Sequence, residues 1–305
     1  MINERLKNLN EKHINQSWQP TADDYRAIAP QEDELNYKFN YSRMVDGEVT
    51  LITGASDGMG FKMAEVYAQH GAKVIMVARR AQKLENAAQK IRDRFDYAQV
   101  FTYPADVTNK ETTKELFAWI MEKFGRLDIL VNNAGAGDPC IAETPTDDDV
   151  DWYIELNLKA PIRYCREALK IMLEQNYGHI VNISSINGTR PLCGAVYSGA
   201  KGGINTWTKA IAIRCVGTNI NCNVVGPGFT VTPLALGQED NNYGLDKDPN
   251  AKPRTVDYLP ILHKKSTRNV PTFCIDQAHL ALCLGSNMAR CITVQIINCD
   301  NGQYL

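Results

Sequence analysis

From residue 49 onward, short runs rich in β-branched residues alternate with longer segments of helical period, and few architectures accept that rhythm. A strand covered on both faces reads as an unbroken apolar run, and a helical crossover is needed to start the next strand in the same direction. Residues 49–53, 73–77, 99–102, 128–131, 179–183, 220–225 and 292–297 have the strand character. Helical periods fall near 59–70, 81–94, 109–124, 147–175, 195–216 and 276–285. Seven strands with six crossovers predict one α/β domain over residues 48–305, a doubly wound seven-stranded parallel sheet with helices on both faces.

Two stretches break the rhythm. Residues 1–47 are polar but carry Trp18, Tyr25, Tyr37, Phe39 and Tyr41. They read either as a mobile tail or as an N-terminal extension laid on the main body or a neighbouring subunit, since disordered segments are usually poor in aromatics. Residues 233–271 hold Gly237, Gly244, Pro249, Pro253 and Pro260 among charged and amide side chains. A long irregular insertion of this kind predicts a lid over a binding site.

Composition narrows the partners. A formal net charge of -2 on 305 residues gives no broad basic field, which argues against nucleic acid and an anionic membrane. No run of 18 apolar residues is present and the N-terminal stretch is charged, so a cytoplasmic protein is expected. The nine cysteines lack a CxxC pair and sit mostly in apolar segments, which reads as buried thiols in a reducing compartment. The five histidines are isolated from one another, and no metal is expected.

The first strand runs directly into Thr53-Gly54-Ala55-Ser56-Asp57-Gly58-Met59-Gly60. Glycine costs about 1 kcal/mol in a helix relative to alanine, so three of them at a strand-to-helix turn need a reason. Such a turn offers free backbone N–H groups and the positive end of a helix dipole, and the glycines clear room for an anion to approach. A pyrophosphate over Gly54–Gly60 is the expected occupant.

This turn, together with Asp106-Val107, Asn132-Asn133-Ala134-Gly135, Asn157, the serines of NISS at 182–185, Tyr197-Ser198-Gly199-Ala200-Lys201 and Gly226-Pro227-Gly228, resembles the short-chain dehydrogenase/reductase family in order and over nearly all of residues 47–305. The resemblance implies a Rossmann-type fold and a nicotinamide cofactor. It implies that Gly54, Ser56, Asp57, Gly58, Met59 and Gly60 hold the pyrophosphate, and that Ala78, Arg79 and Arg80 lie where the adenosine ribose is read. Two basic residues there favour NADP(H), because a guanidinium pairs with a 2′-phosphate, whereas Asp57 keeps NAD(H) open. Asp106 and Val107 would meet the adenine edge, Asn133, Ala134 and Gly135 the ribose, and Pro227, Gly228, Thr230 and Thr232 the nicotinamide amide.

The same resemblance implies a catalytic set of Asn157, Ser185, Tyr197 and Lys201. Carbonyl reduction needs an acid for the developing alkoxide, and a free tyrosine at a pKa of ~10 is a poor match for neutral pH. Lys201, four residues from Tyr197 and so on the same helix face, would stabilise tyrosinate and grip the nicotinamide ribose. Ser185 would hold the substrate oxygen, although its spacing to Tyr197 is one residue shorter than usual and Ser184 stays open. Asn157 would hold a water leading to Lys201.

The implied activity is hydride transfer between the cofactor and a ketone or secondary alcohol. A bulky alicyclic substrate such as a hydroxysteroid is favoured, with a 3-oxoacyl thioester, a polyol or a sugar acid as alternatives. A cofactor-binding regulator without catalysis is a remote alternative. Family members usually associate through the two long helices, so a homodimer or homotetramer is expected, and Trp152, Ile154, Leu158 and Ile162 fit a buried face.

Overall fold

A computed structural model describes residues 41–137, 142–191, 194–232 and 271–302. Most of the N-terminal extension, nearly all of the expected lid, Cys140 and Cys193 lie outside the described residues. The chain forms β1 (Val49–Thr53), α1 (Gly58–Gln69), β2 (Lys73–Ala78), α2 (Ala81–Arg94), β3 (Gln99–Pro104), α3 (Lys110–Phe124) and β4 (Ile129–Asn132). It continues with α4 (Asp147–Ile154), a π-helical turn (Glu155–Lys159), α5 (Ala160–Gln175), β5 (Gly178–Ile183), α6 (Ala195–Arg214) and β6 (Ile220–Pro227). Beyond these lie the short β7 (Thr230–Val231) and β8 (Thr272–Phe273), then α7 (Cys274–Leu284) and β9 (Ile296–Cys299).

Seven strands build one sheet in the order β3-β2-β1-β4-β5-β6-β9, each neighbouring pair parallel. The expected doubly wound architecture is therefore present. The chain moves outward from β1 to β3 and then returns to the other side of β1, where Leu51 pairs with Leu130. A crevice opens at such a reversal, outside the carboxyl ends of the two strands, because the following loops diverge.

The strands are apolar on both sides because each face is roofed. Val74, Met76, Val131 and Val181 pack with Met63, Tyr67, Leu84 and Ala281 of α1, α2 and α7. Leu51, Ile75, Leu130 and Ile180 pack on the other face with Leu116, Ile120, Tyr164 and Ile211 of α3, α5 and α6. Val45, just before β1, is also fully buried in the first of these clusters. Tyr67 is wholly enclosed, and its hydroxyl donates to the Ala281 carbonyl at 2.6 Å, tying α1 to α7.

Two expectations need correction, and a third is not tested by one chain. The last strand runs from residue 296 to 299 rather than over 292–297: Val294 has φ +68°, a left-handed conformation that an extended strand cannot pass through. The cysteines are less buried than their neighbours suggested, since Cys165, Cys215 and Cys222 are enclosed while Cys274, Cys283 and Cys299 are half-buried and Cys291 is exposed. Trp152, Ile154, Leu158 and Ile162 are half-buried in the chain alone. Tyr153, Asn157, Ala160 and Tyr164 form the face that the chain itself encloses.

Among the described residues, no helix is long and apolar enough to cross a membrane, and no group of His, Cys, Asp or Glu side chains is placed to hold a metal ion.

Candidate active site

The crevice at the reversal is lined by the turn after β1. Gly54 and Gly58 adopt φ of +66° and +53°, the left-handed region in which a side chain is strained. A Cβ on Gly60 would lie 2.2 Å from the Gly54 carbonyl oxygen and 2.5 Å from Asn133 Nδ2, so only glycine lets the start of α1 pack this closely on β1. Asp57 caps that helix, its Oδ1 accepting from Gly58 N at 2.7 Å. Gly54, Ser56, Asp57, Gly58, Met59 and Gly60 all face the cleft.

The opposite wall comes from the end of β4. Thr53 Oγ1 accepts from the backbone N–H groups of Asn133 and Ala134, at 3.0 Å each, and Asn133 Nδ2 donates to the Thr53 carbonyl at 3.0 Å. These bonds clamp the two strand ends on either side of the switch point. Asn133, Ala134 and Gly135 line the cleft, as do Ala78, Arg79 and Arg80 after β2 and Asp106 and Val107 after β3. Asp106 is oriented by Thr108, whose N and Oγ1 donate to its Oδ1 at 2.9 and 2.7 Å. Thr232 closes the wall beside Gly58.

Tyr197, Lys201, Pro227, Gly228 and Thr230 do not line this cleft. Pro227 ends β6, Gly228 N donates to the Cys299 carbonyl at 3.1 Å, and Thr230 Oγ1 donates to the Gly228 carbonyl at 3.1 Å. Thr230 Oγ1 also bonds Thr272 Oγ1 at 2.8 Å, which knits β7 to β8.

Lys201 and Asn157 meet the cleft through Gly135. A Cβ on Gly135 would stand 2.8 Å from Asn157 Oδ1 and 3.3 Å from Lys201 Nζ. Asn157 sits in the π-helical turn, fully buried, where its Nδ2 donates to the Tyr153 and Ala136 carbonyls and its Oδ1 accepts from Ala136 N, each at 3.1 Å. The opened turn is what frees the Tyr153 carbonyl for a side chain. Lys201 Nζ donates to the Ile183 carbonyl at 2.9 Å and lies 5.5 Å from the centroid of the Tyr197 ring. Burial disfavours its charged form and pushes its pKa down to about 8. An ammonium so placed can release and regain a proton near neutral pH.

The two serines divide clearly. Ser184 Oγ donates to the Lys201 carbonyl at 3.1 Å and is buried against α6. Ser185 Oγ instead accepts from Asn187 N at 3.1 Å, which leaves its own O–H to donate. Ser185→Ala is expected to lower turnover about a hundredfold, the usual loss when one oxyanion donor is removed. Ser184→Ala should cost about 1 kcal/mol of stability and leave turnover within about threefold. Steady-state assays of the two variants decide between them, and the reverse ranking would hand the role to Ser184.

Ala105, Thr108, Trp152 and Leu156 also line the cleft and were not foreseen. Thr108 directly follows Asp106-Val107, a polar residue at a strand end that could have been flagged. Trp152 and Leu156 are four apart on one helical face; the sequence reading assigned Trp152 to a buried face and did not single out Leu156.

Comparison with known proteins agrees with this fold. A family model described as short chain dehydrogenase matches residues 48–242. The chain is 36% identical over 191 residues to a 3beta-hydroxysteroid dehydrogenase of Mediterraneibacter gnavus, covering 62% of this chain and 68% of that protein. It is 30% identical over 260 residues to a 3-oxoacyl-[acyl-carrier-protein] reductase of Thermotoga maritima, covering 85% of this chain and 98% of the relative. Among solved structures, L-sorbose reductase from Gluconobacter frateurii, complexed with NADPH and L-sorbose, superposes with a TM-score of 0.75 at 26% identity. That match covers 86% of this chain and 98% of the reductase.

Proposed function

From the premise that this chain belongs to the short-chain dehydrogenase family and is a nicotinamide-dependent oxidoreductase, we propose that it interconverts a ketone and a secondary alcohol with NADP(H), its favoured substrate a bulky alicyclic compound of the hydroxysteroid class. The carrying observation is Gly135: it lines the cleft and at the same time touches Asn157 and Lys201, so a nucleotide seated there is within reach of the proton-handling side chains.

The residues fit such a nucleotide. Gly54 and Gly60 let the turn pack closely on the ends of β1 and β4, and a Cβ at Gly58 would meet nothing nearer than Thr232 at 3.6 Å, so the amides at the start of α1 face a cleft open to a diphosphate. Asn133 Oδ1 is buried without a donor among the described residues, an acceptor available to a ligand hydroxyl. Arg79 and Arg80, at the end of β2, bring positive charge to the ribose side, which suits a 2′-phosphate.

When bound, the nicotinamide donates or accepts the hydride at the substrate carbon. Tyr197 gives its phenolic proton to the oxygen that becomes the alcohol, and takes it back in oxidation. Ser185 donates a hydrogen bond to that oxygen. Lys201 holds positive charge beside the Tyr197 ring, and Asn157 fixes the backbone of Ala136, next to Gly135. Trp152 and Leu156 add an apolar wall, and the relationship to a 3beta-hydroxysteroid dehydrogenase supports the alicyclic class. A 3-oxoacyl thioester is the second reading, favoured by the near-complete coverage of the Thermotoga maritima reductase.

The chain is proposed to work as a homodimer or homotetramer. Half-buried Trp152, Ile154, Leu158 and Ile162 on the α4–α5 rod, with Ile213 exposed on α6, support association through these helices.

A panel of hydroxysteroids with their ketones, 3-oxoacyl thioesters and polyols, followed by NADPH absorbance, tests the substrate reading. Hydroxysteroid kcat/KM is expected to exceed that of the other classes by at least about tenfold, the discrimination a few apolar contacts supply. A higher kcat/KM for thioesters would reverse the order.

A further inference from the structure

A carboxylate at the mouth of the cleft works against a nucleotide that carries a 2′-phosphate, and Asp57 lies there with Arg79 and Arg80. Both of its oxygens are already engaged within the protein. Oδ1 accepts from Gly58 N at the start of α1. Oδ2 accepts from Lys83 Nζ at 2.5 Å. Lys83 belongs to the first turn of α2, four residues after Arg79 and three after Arg80, so one helix start gathers all three cations beside the cleft. The other carboxylate of this wall, Asp106, takes two hydrogen bonds from Thr108 and lies 4.0 Å from Arg79.

We propose that Lys83 is a specificity-determining positioning residue: it neutralises Asp57, so that Arg79 and Arg80 present net positive charge to the phosphate-bearing ribose. The inference rests on the NADP(H) reading. Because Asp57 and Lys83 are each about one-third exposed in their side chains (34% and 33%), the pair itself adds little to stability, and its loss leaves a folded protein. Its consequence is electrostatic. Removing the ammonium takes away the positive charge that Lys83 sets against Asp57 near a dianion, whereas NAD(H) has only hydroxyls at that position and is affected far less.

The test is a double-mutant cycle read by direct titration of the full chain with NADPH and with NADH. In Lys83→Gln the Kd for NADPH is expected to rise about tenfold, the size of one charge acting across several ångströms of partly solvated space. The Kd for NADH should change by less than about threefold, and Lys83→Arg should retain the NADPH affinity. Adding Asp57→Asn to Lys83→Gln should recover most of the NADPH binding, because the carboxylate that Lys83 neutralised is then gone. Equal weakening of both nucleotides in Lys83→Gln, or no recovery in the double variant, overturns the role of Lys83 while leaving the cofactor reading intact. A wild-type protein that binds NADH more tightly than NADPH overturns the cofactor reading and this inference with it.

Discussion

Tyr197→Phe should lose about a thousandfold in kcat, within the range expected when a positioned acid is removed from a proton-transfer step. The Kd for NADPH should stay within about threefold of wild type, since a phenyl ring keeps the phenol's volume and removes only one O–H. The combination is diagnostic. A group acting only in the chemical step lowers kcat without touching nucleotide binding. Lys201 lies 5.5 Å from the centroid of the Tyr197 ring and is held by the Ile183 carbonyl at 2.9 Å. Rapid-quench or steady-state assays with the best substrate of the panel, beside a fluorescence titration with NADPH, supply both numbers. Turnover near the wild-type rate would remove Tyr197 from the mechanism.

Gly60→Ala should act on the other half of the site. The added methyl would meet the Gly54 carbonyl oxygen at 2.2 Å, the Gly54 carbonyl carbon at 2.8 Å and Asn133 Nδ2 at 2.5 Å. Two of these are backbone atoms, and the third is held by the Thr53 carbonyl, so α1 must move away from β1. Overpacking of this kind costs about 1–3 kcal/mol in stability. The displaced amides would no longer converge on a diphosphate, and NADPH affinity is expected to fall at least about thirtyfold, or ~2 kcal/mol. A thermal melt and a nucleotide titration check both effects. Wild-type NADPH affinity in this variant would mean that the turn does not carry the diphosphate.

The contrast between these residues explains how much was legible beforehand. The glycine turn and the apolar strands carry a local signal: the left-handed φ of Gly54 and Gly58 and the approach of Gly60 to the Gly54 carbonyl lie within one short stretch, and so the sheet and the nucleotide crevice could be read, while the contacts of Gly54 and Gly60 with the end of β4 come only with the fold. The proton-handling set comes from three separate elements. Its members were placed by likeness to a family, and only the fold brings Asn157 and Lys201 to Gly135. Trp152 was read as part of a buried face and Leu156 was not singled out, because the spacing of apolar residues does not announce which of them the fold sets against the cleft. The same holds for β9, displaced by the left-handed backbone at Val294, a conformation rare for a β-branched residue. The Lys83–Asp57 pair joins residues 26 apart across two loops and has no periodic signature at all.

The account turns on where a bound nucleotide lies with respect to Tyr197, and a crystal structure of the chain with NADPH measures that directly. The diphosphate should rest on the amides at the start of α1 between Gly54 and Gly60, with the nicotinamide ring beside the Tyr197 hydroxyl and the 2′-phosphate between Arg79 and Arg80. A diphosphate bound elsewhere, or a nicotinamide ring out of reach of Tyr197, would contradict it.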